Sequence, residues 1–364
     1  MEGVGWFAYE TLKRITRAHP EHQFYFLFDR KYDEEFIFAE NVTPIVIGPQ
    51  ARHPILWYIW FEYSVKRVLK RIKPDIFFSP EGYLTLNTDV KSILVMHDIA
   101  FEHYPESVPK LVYKYYTRFS PKFANKANII CTVSKYSKDD IVSRYKINPE
   151  KIRLVYNGYN TTHHPANETV KAEIRQKHTS GARYFIFVGG LQPRKNIKGL
   201  ILAFEQFKKS TGSDNKLFIV GKAAYRSEEL FALKEKSEYN RDILFTGRVE
   251  SVEELNYMIA SSEAMVYVPF FEGFGIPCLE AMRCETALIA SNTSSIPEVC
   301  GEAAIYANPL SVDSISDAMI KLYSDPGLRE RLIEKGKEQC QKFSWDKTAE
   351  LVWECIEEVA RKNN

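Results

Sequence analysis

Two glutamates, Glu272 and Glu280, are separated by seven residues in the string PFFEGFGIPCLEAM (269–282). What lies between them suits an anion. Gly273-Phe274-Gly275 forms a turn, Pro277 fits the first turn of the next helix, and Glu280 falls about one turn inside it. Glycines let backbone N–H groups approach a ligand, and a helix start carries about +0.5 charge, so the turn can receive a pyrophosphate. An ionised carboxylate on each side can then grip sugar and ribose hydroxyls. Taken singly, each glutamate reads as well as a helix-dipole complement or a loop residue; the whole string favours the anion site.

Three further strings offer chemistry. In YFIFVGGLQPRKNIKGLILAF (184–204) an apolar run ends at Gly189-Gly190, and Arg194-Lys195 precede an amphipathic helix. Cations at the C-terminal edge of a parallel strand stand where open α/β sheets bind ligands, and they would stabilise charge on a departing diphosphate. A solvated basic turn is the plain alternative. In SILVMHDIAFEHYP (92–105), His97 and Asp98 follow an apolar run and point into the same kind of cleft, where His97 can approach a transferred sugar; a structural histidine is the alternative. In CTVSKYSKDDI (131–141), Ser134 reads as a helix cap. His163-His164 lies in a polar stretch and reads as chemically idle. No further His or Cys has ligand spacing, so no metal is expected.

The elements that must hold these residues are legible as short runs. They are FYFLF (24–28), PIVI (44–47), DIFF (75–78), SILVM (92–96), NIICTV (128–133) and RLVY (153–156). A second set follows: YFIFV (184–188), KLFIV (216–220), ILF (243–245), AMVYV (264–268), TALIA (286–290) and AAIY (303–306). Each has the length of a doubly buried strand, and helix periodicity fills the intervals, which predicts α/β layers with parallel sheets. Residues 157–181, polar and rich in turn formers, read as a hinge between two Rossmann-like domains. An amphipathic helix ends the chain, with Leu351, Cys355 and Val359 on one face.

These strings, continued by TALIASNTSSIPEVCGEAAIYANP (286–309), resemble the family-four retaining glycosyltransferases (the group 1, mannosyltransferase-like enzymes), whose hallmark is a Glu, seven residues and a Glu in an EGFGxPxLEAM context. One departure is Glu285, where the family usually has glycine; another is Gly190, where many members carry an arginine. The resemblance implies the GT-B fold, two Rossmann-like domains facing across a cleft. The acceptor domain would span 1–160 plus a crossover helix at 346–364, and the nucleotide-sugar domain 161–345. It implies that Glu280 holds the donor ribose and Glu272 the sugar hydroxyls. Gly190, Arg194, Lys195 and Gly273, Phe274 and Gly275 would bind the diphosphate, His97 would act at the sugar, and Asp98 and Ser134 would line the cleft. The expected reaction transfers a hexose with retention from a nucleotide diphosphate sugar, GDP-mannose or a UDP-sugar, to a glycan or lipid-linked acceptor in polysaccharide biosynthesis. No cofactor beyond that co-substrate is expected.

The first residues complicate this picture. Gly3-Val4-Gly5-Trp6-Phe7-Ala8 fits a GxGxxA dinucleotide fingerprint with Asp29 further on, but that fingerprint needs a preceding strand, and only Met1 and Glu2 precede it. By resemblance Gly3 and Gly5 belong to a glycine loop facing donor phosphate and acceptor. The expectation is a chain that starts past its first strand, leaving the first sheet without its middle strand. The string also keeps an NAD-dependent oxidoreductase open as a rival, beside a non-catalytic GT-B protein and a sugar-nucleotide epimerase.

Composition sets the outer bounds. At 364 residues the chain suits two domains, and 45% hydrophobic with 26% charged residues excludes disorder. Forty-nine Lys and Arg against 47 Asp and Glu leave +2, a balance with no global field for nucleic acid. Six scattered cysteines read as reduced and buried, and no signal peptide or membrane-spanning run is found, which points to the cytoplasm. The stretch ILWYIWFEYSVKRVLKRIKPD (55–75) reads first as a packed domain helix and second as a peripheral membrane contact.

Overall fold

A computed structural model describes residues 3–223 and 227–361. The chain runs through α1 (Gly3–Ala18), β1 (Phe24–Phe28), β2 (Val42–Val46), α2 (Pro54–Ile59), a π-helical turn (Trp60–Val65), α3 (Lys66–Ile72), β3 (Ile76–Ser79), β4 (Lys91–Val95), α4 (Ala100–His103), α5 (Lys110–Lys126), β5 (Ile129–Thr132), α6 (Lys135–Tyr145) and β6 (Ile152–Leu154). It continues through α7 (Glu168–Thr179), β7 (Tyr184–Val188), α8 (Ile197–Thr211), β8 (Lys216–Val220), α9 (Glu228–Lys236), β9 (Ile243–Gly247), α10 (Val252–Ala260), β10 (Ala264–Tyr267), α11 (Ile276–Arg283), β11 (Ala287–Ser291), α12 (Ile296–Cys300), β12 (Ala304–Ala307), α13 (Val312–Ser324), α14 (Pro326–Cys340) and α15 (Trp345–Arg361). Two compact units result: Met1–Gly158 with Ser344–Asn364, and Tyr159–Phe343. The terminal residues 362–364, which the sequence reading placed in the last helix, lie outside the described residues.

The second unit is one parallel sheet of six strands in the order β12-β11-β10-β7-β8-β9. This is the doubly wound order, with β7 as the first central strand and the winding reversed between β7 and β10. Its strands read as unbroken apolar runs because helices cover both faces. Phe185, Ile186, Leu217, Ile219, Met265, Val266, Leu288 and Ile289 are fully buried.

In the first unit the described strands form two parallel sheets, β1-β2 and β3-β4-β5-β6, rather than one. Leu27 of β1 and Phe77 of β3 nonetheless pack against the same aromatic cluster, Trp60, Phe61, Val65 and Leu69. Gly3 and Gly5 lie in the first turn of α1, not in a loop, so the strand–turn–helix context of a dinucleotide fingerprint is not found among the described residues. Asp29 is held by Arg30 and by the Ala51 N–H.

The last helix packs on α1. Trp353 stacks on His19 at 3.6 Å, and Arg14 Nε donates to Asp346 at 2.6 Å. Its buried face is Trp345, Ala349, Val352, Cys355 and Val359, with Leu351 at the margin. All six cysteines are free and buried.

The structure adds detail to two local readings. The hinge at 157–181 contains α7. Asn167 caps it by accepting from the Val170 N–H at 2.9 Å, and Ile174 and Thr179 bury its one inner stripe. Only the residues before it are irregular; a short polar helix with a narrow apolar stripe has the composition of a loop. The second concerns 55–75, where one extra residue per turn at Trp60–Val65 rotates the helix and splits its apolar residues between two faces. Trp60, Phe61, Val65, Val68 and Leu69 are buried, whereas Ile55, Tyr58, Ile59 and Tyr63 are exposed.

At Glu285, where glycine was noted as usual, the backbone adopts φ 54°, the left-handed conformation that glycine takes at no cost. The turn into β11 thus keeps its shape with a different residue.

Candidate active site

In a doubly wound sheet the crevice opens at the C-terminal ends of the strands flanking the reversal, here β7 and β10. After β7 the chain turns through Gly189-Gly190 and brings Arg194-Lys195 to the start of α8. After β10 it runs through Glu272 to α11. The structure joins these two segments side by side. Arg194 Nη1 donates to Glu272 Oε1 at 2.7 Å and to the Phe271 carbonyl at 2.9 Å. Lys195 Nζ pairs with the same Oε1 and donates to the Tyr267 hydroxyl at 2.6 Å. The Phe270 N–H donates to the Arg194 carbonyl at 2.9 Å, tying the two segments by backbone.

The second loop is held from below. Ser294 Oγ accepts the Glu272 N–H at 3.1 Å, and Ser295 Oγ donates to the Glu272 and Phe274 carbonyls, each at 2.9 Å. Gly275 caps α11 at φ 108°, in the left-handed region that glycine takes at no cost, and its carbonyl accepts the Cys278 N–H at 3.0 Å. A Cβ there would meet Ile296 Cδ1 at 2.7 Å.

Electrostatics follow from burial. Burial alone would push the Glu272 carboxyl up, but Arg194 and Lys195 outweigh it and hold it below its ordinary value. One carboxylate therefore faces two cations. Burial and the Glu272 charge raise the Tyr267 phenol well above its usual range, so it stays protonated. Tyr267, fully buried at the end of β10, was not singled out from sequence; its only signal was a hydroxyl-bearing residue inside the apolar run AMVYV.

Glu280 stands apart from this cluster, with no hydrogen bond or ion pair joining them among the described residues. Burial pushes its carboxyl up, and the neighbouring His163 draws it partly back. His163, expected to be idle, is 2% exposed and neither ring nitrogen has a hydrogen-bond partner. Its segment is fixed to the end of α11: the His164 N–H donates to Asn256 Oδ1 at 2.8 Å, which also accepts from Cys284 Sγ, and Arg283 lies over the Tyr159 ring. If Glu280 binds hydroxyls as a carboxylate, donor affinity falls as pH drops through its raised pKa. His163→Phe is expected to raise that pKa further and move the acid limb of donor affinity to higher pH, as measured by calorimetric titration across pH 4.5 to 7.

Gly190 has open space where a Cβ would stand. The constrained glycine is Gly221, at the end of β8, whose Cβ would lie 1.8 Å from the Gly189 carbonyl oxygen. Gly221→Ala is expected to destabilise the second unit by at least about 2 kcal/mol, read from its denaturant midpoint, because backbone rather than a side chain must move.

The remaining candidates lie in the first unit. His97, as the Nε2–H tautomer, donates to the Pro80 carbonyl at 3.0 Å and meets the Phe7 ring edge-on at 5.0 Å. Burial lowers its imidazole pKa against that hydrogen bond and Asp98. Asp98 Oδ1 accepts the Ala100 N–H at 2.9 Å, and Ser134 caps α6 by accepting from Ser137 N at 3.0 Å. Among the described residues no group of three or more His, Cys, Asp or Glu could hold a metal ion, and no helix is long and apolar enough to cross a membrane.

Comparison with known proteins fits this geometry. Residues 1–163 match the family model described as Glycosyltransferase Family 4, and residues 170–339 match Glycosyl transferases group 1. The chain is 27% identical over 357 residues to the O-antigen chain mannosyltransferase B of Escherichia coli, covering 95% of this chain and 93% of that one. It is 29% identical over 283 residues to the O-antigen chain mannosyltransferase RfbU of Salmonella typhimurium, covering 76% and 74%. A crystal structure of a glycosyltransferase from Rickettsia africae superposes with a TM-score of 0.74 at 16% identity, covering 99% of this chain and 96% of that one. The chain thus belongs to the glycosyltransferases, with a family 4 N-terminal domain, a group 1 C-terminal domain and the GT-B fold.

Proposed function

We propose that this chain transfers a mannosyl group, with retention, from a nucleotide diphosphate donor to a growing glycan or lipid-linked glycan presented at a membrane surface. The observation that carries the reading is the meeting of Arg194 and Lys195 with Glu272 and Tyr267 at the strand reversal, beside the start of α11. In this proposal the donor diphosphate lies against the two cations and the positive end of α11. Glu272 takes the sugar hydroxyls and Glu280 the ribose. The choice of mannose rests on the two O-antigen mannosyltransferase relatives.

The step balances without a covalent enzyme intermediate. The bond between the anomeric carbon and the diphosphate oxygen breaks, and its electron pair leaves with the phosphate. The acceptor hydroxyl oxygen bonds to the anomeric carbon from the same face, and its proton passes to the departing phosphate oxygen. Arg194, Lys195 and the helix start stabilise the leaving charge in the role a metal ion would otherwise fill. In this proposal His97 acts at the transferred sugar.

A thermal-shift panel of GDP-mannose and UDP-sugars tests the donor, since a ligand at about 100 times its dissociation constant adds roughly 2.7 kcal/mol. GDP-mannose is expected to shift the transition most, and NMR of the product is expected to show the donor's anomeric configuration. Absence of any shift by GDP-mannose with a clear shift by a UDP-sugar would replace the mannosyl assignment; inversion at the anomeric carbon would overturn the front-face step.

A further inference from the structure

The His163 ring is buried in the second unit, and neither Nδ1 nor Nε2 has a hydrogen-bond partner among the described residues. An imidazole always carries at least one N–H, so a donor is enclosed here with no acceptor. Buried polar groups are nearly always paired, because an unmade hydrogen bond leaves the desolvation of the group uncompensated. The local turn does not use the ring: it is closed by the His163 backbone N–H, which donates to the Asn160 carbonyl at 3.1 Å. A histidine kept for packing alone gains nothing from nitrogens that weaken the fold.

Beside it stands a carboxyl with the converse lack. Glu280 accepts no side-chain hydrogen bond among the described residues, and the neighbour that acts on it is His163. Both are held to the same stretch of α11. The Cys284 N–H donates to the Glu280 carbonyl at 3.0 Å, and the Cys284 thiol donates to Asn256 Oδ1 at 3.2 Å. That oxygen also accepts the His164 N–H at 2.8 Å, while the Arg283 guanidinium lies 4.8 Å from the centre of the Tyr159 ring. The segment carrying His163 is thus pinned on either side to the end of α11, one turn beyond Glu280. Other unpartnered nitrogens gather there, Asn256 Nδ2 and Arg283 Nε.

From a buried imidazole without acceptors beside a carboxyl without donors, we infer that His163 is the positioning residue for Glu280. One ring N–H donates to the carboxylate when the ribose of a nucleotide binds, and this fixes the oxygens that receive the ribose hydroxyls. A carboxylate has lone pairs enough for the imidazole and both hydroxyls together. Neither side chain gives up an existing hydrogen bond when they join, so their approach costs only side-chain rotation. The inference rests on the proposed nucleotide diphosphate donor and adds to it the group that orients the ribose contact.

Calorimetric titration of the full chain with GDP and UDP, each beside its 2′,3′-dideoxy analogue, tests this. The parent is expected to bind the ribose form of its preferred nucleotide roughly 10–100-fold more tightly than the dideoxy form. His163→Leu is expected to lose most of that preference while binding the dideoxy form as the parent does. Its unfolding midpoint should rise by about 2–4 °C, because the unpartnered nitrogens are gone. His163→Gln, which again offers a side-chain N–H, is expected to restore part of the preference. In a Glu280→Ala chain, adding His163→Leu should change affinity no further, since the histidine acts through the carboxylate. A leucine variant that keeps the parent's ribose preference overturns the inference. So does one that loses affinity for both forms alike with a lowered midpoint, the result of a histidine needed only for packing. A parent that binds ribose and dideoxy forms equally removes the ribose contact and this inference with it, but leaves the diphosphate site standing. A parent that binds neither nucleotide brings down the proposed donor as well.

Discussion

Glu272→Ala is expected to destabilise the second unit by about 3 kcal/mol, because it leaves two largely buried cations without their shared counter-ion. The side chains of Lys195 and Arg194 are 11% and 17% exposed, so water replaces the carboxylate poorly. Neutral partners remain, Tyr267 for Lys195 and the Phe271 carbonyl for Arg194, which places the loss at the lower end for a broken buried pair. At roughly 2–4 °C per kcal/mol for a unit of this size, the midpoint should fall by about 6–12 °C. The pH dependence gives a second check. The carboxyl is held below its ordinary 4.5, so it stabilises the fold above the unfolded value, and this contribution disappears as pH falls through the lower folded value. The alanine variant should lack that segment of the acid unfolding curve. Added pyrophosphate should stabilise the variant more than the parent, since the ligand then takes the place of the carboxylate both cations share. An equal response in both would show that the diphosphate does not bind there.

Lys195→Ala is expected to lower turnover by roughly 100–1,000-fold, the loss found when one group stabilising a developing negative charge is removed. The effect should fall on kcat more than on donor affinity, because charge on the diphosphate grows as the sugar departs. Stability should change less than in Glu272→Ala, since Glu272 keeps Arg194 as partner. Single-turnover measurements with the donor the thermal screen selects separate the two quantities. Loss confined to affinity would make Lys195 a binding group only.

The strands were legible because doubly covered parallel strands must be apolar on both faces, and each of the twelve runs marked in the sequence contains or overlaps one. The meeting of Arg194, Lys195 and Glu272 was legible as types and order but not as geometry. Charge and position assigned the cations to a diphosphate, and the family resemblance assigned Glu272 to a sugar; neither revealed that the three form one ion cluster. Tyr267 was hidden because a tyrosine ending a buried strand looks like core until its hydroxyl is seen under Lys195. His163 was hidden because its neighbours are polar, although the fold buries it with both nitrogens unpartnered. The π-helical turn escaped for a different reason: its one-residue surplus changes the direction of side chains without changing their composition. Glu285 shows the converse, since the left-handed turn persists without the glycine that would announce it.

The two places where the chain passes from one unit to the other touch. A Cβ on Gly158 would lie 2.3 Å from the Trp345 backbone nitrogen and 2.7 Å from the Ser344 carbonyl carbon, so only a bare α-carbon allows this approach. Topologically, Tyr159–Phe343 is therefore a closed insertion hung on neighbouring anchor points, and Gly158 can be spliced to Ser344 with almost no spacer. The excised segment begins and ends close enough to be cyclised or grafted into a foreign surface loop, which makes the second unit a portable module.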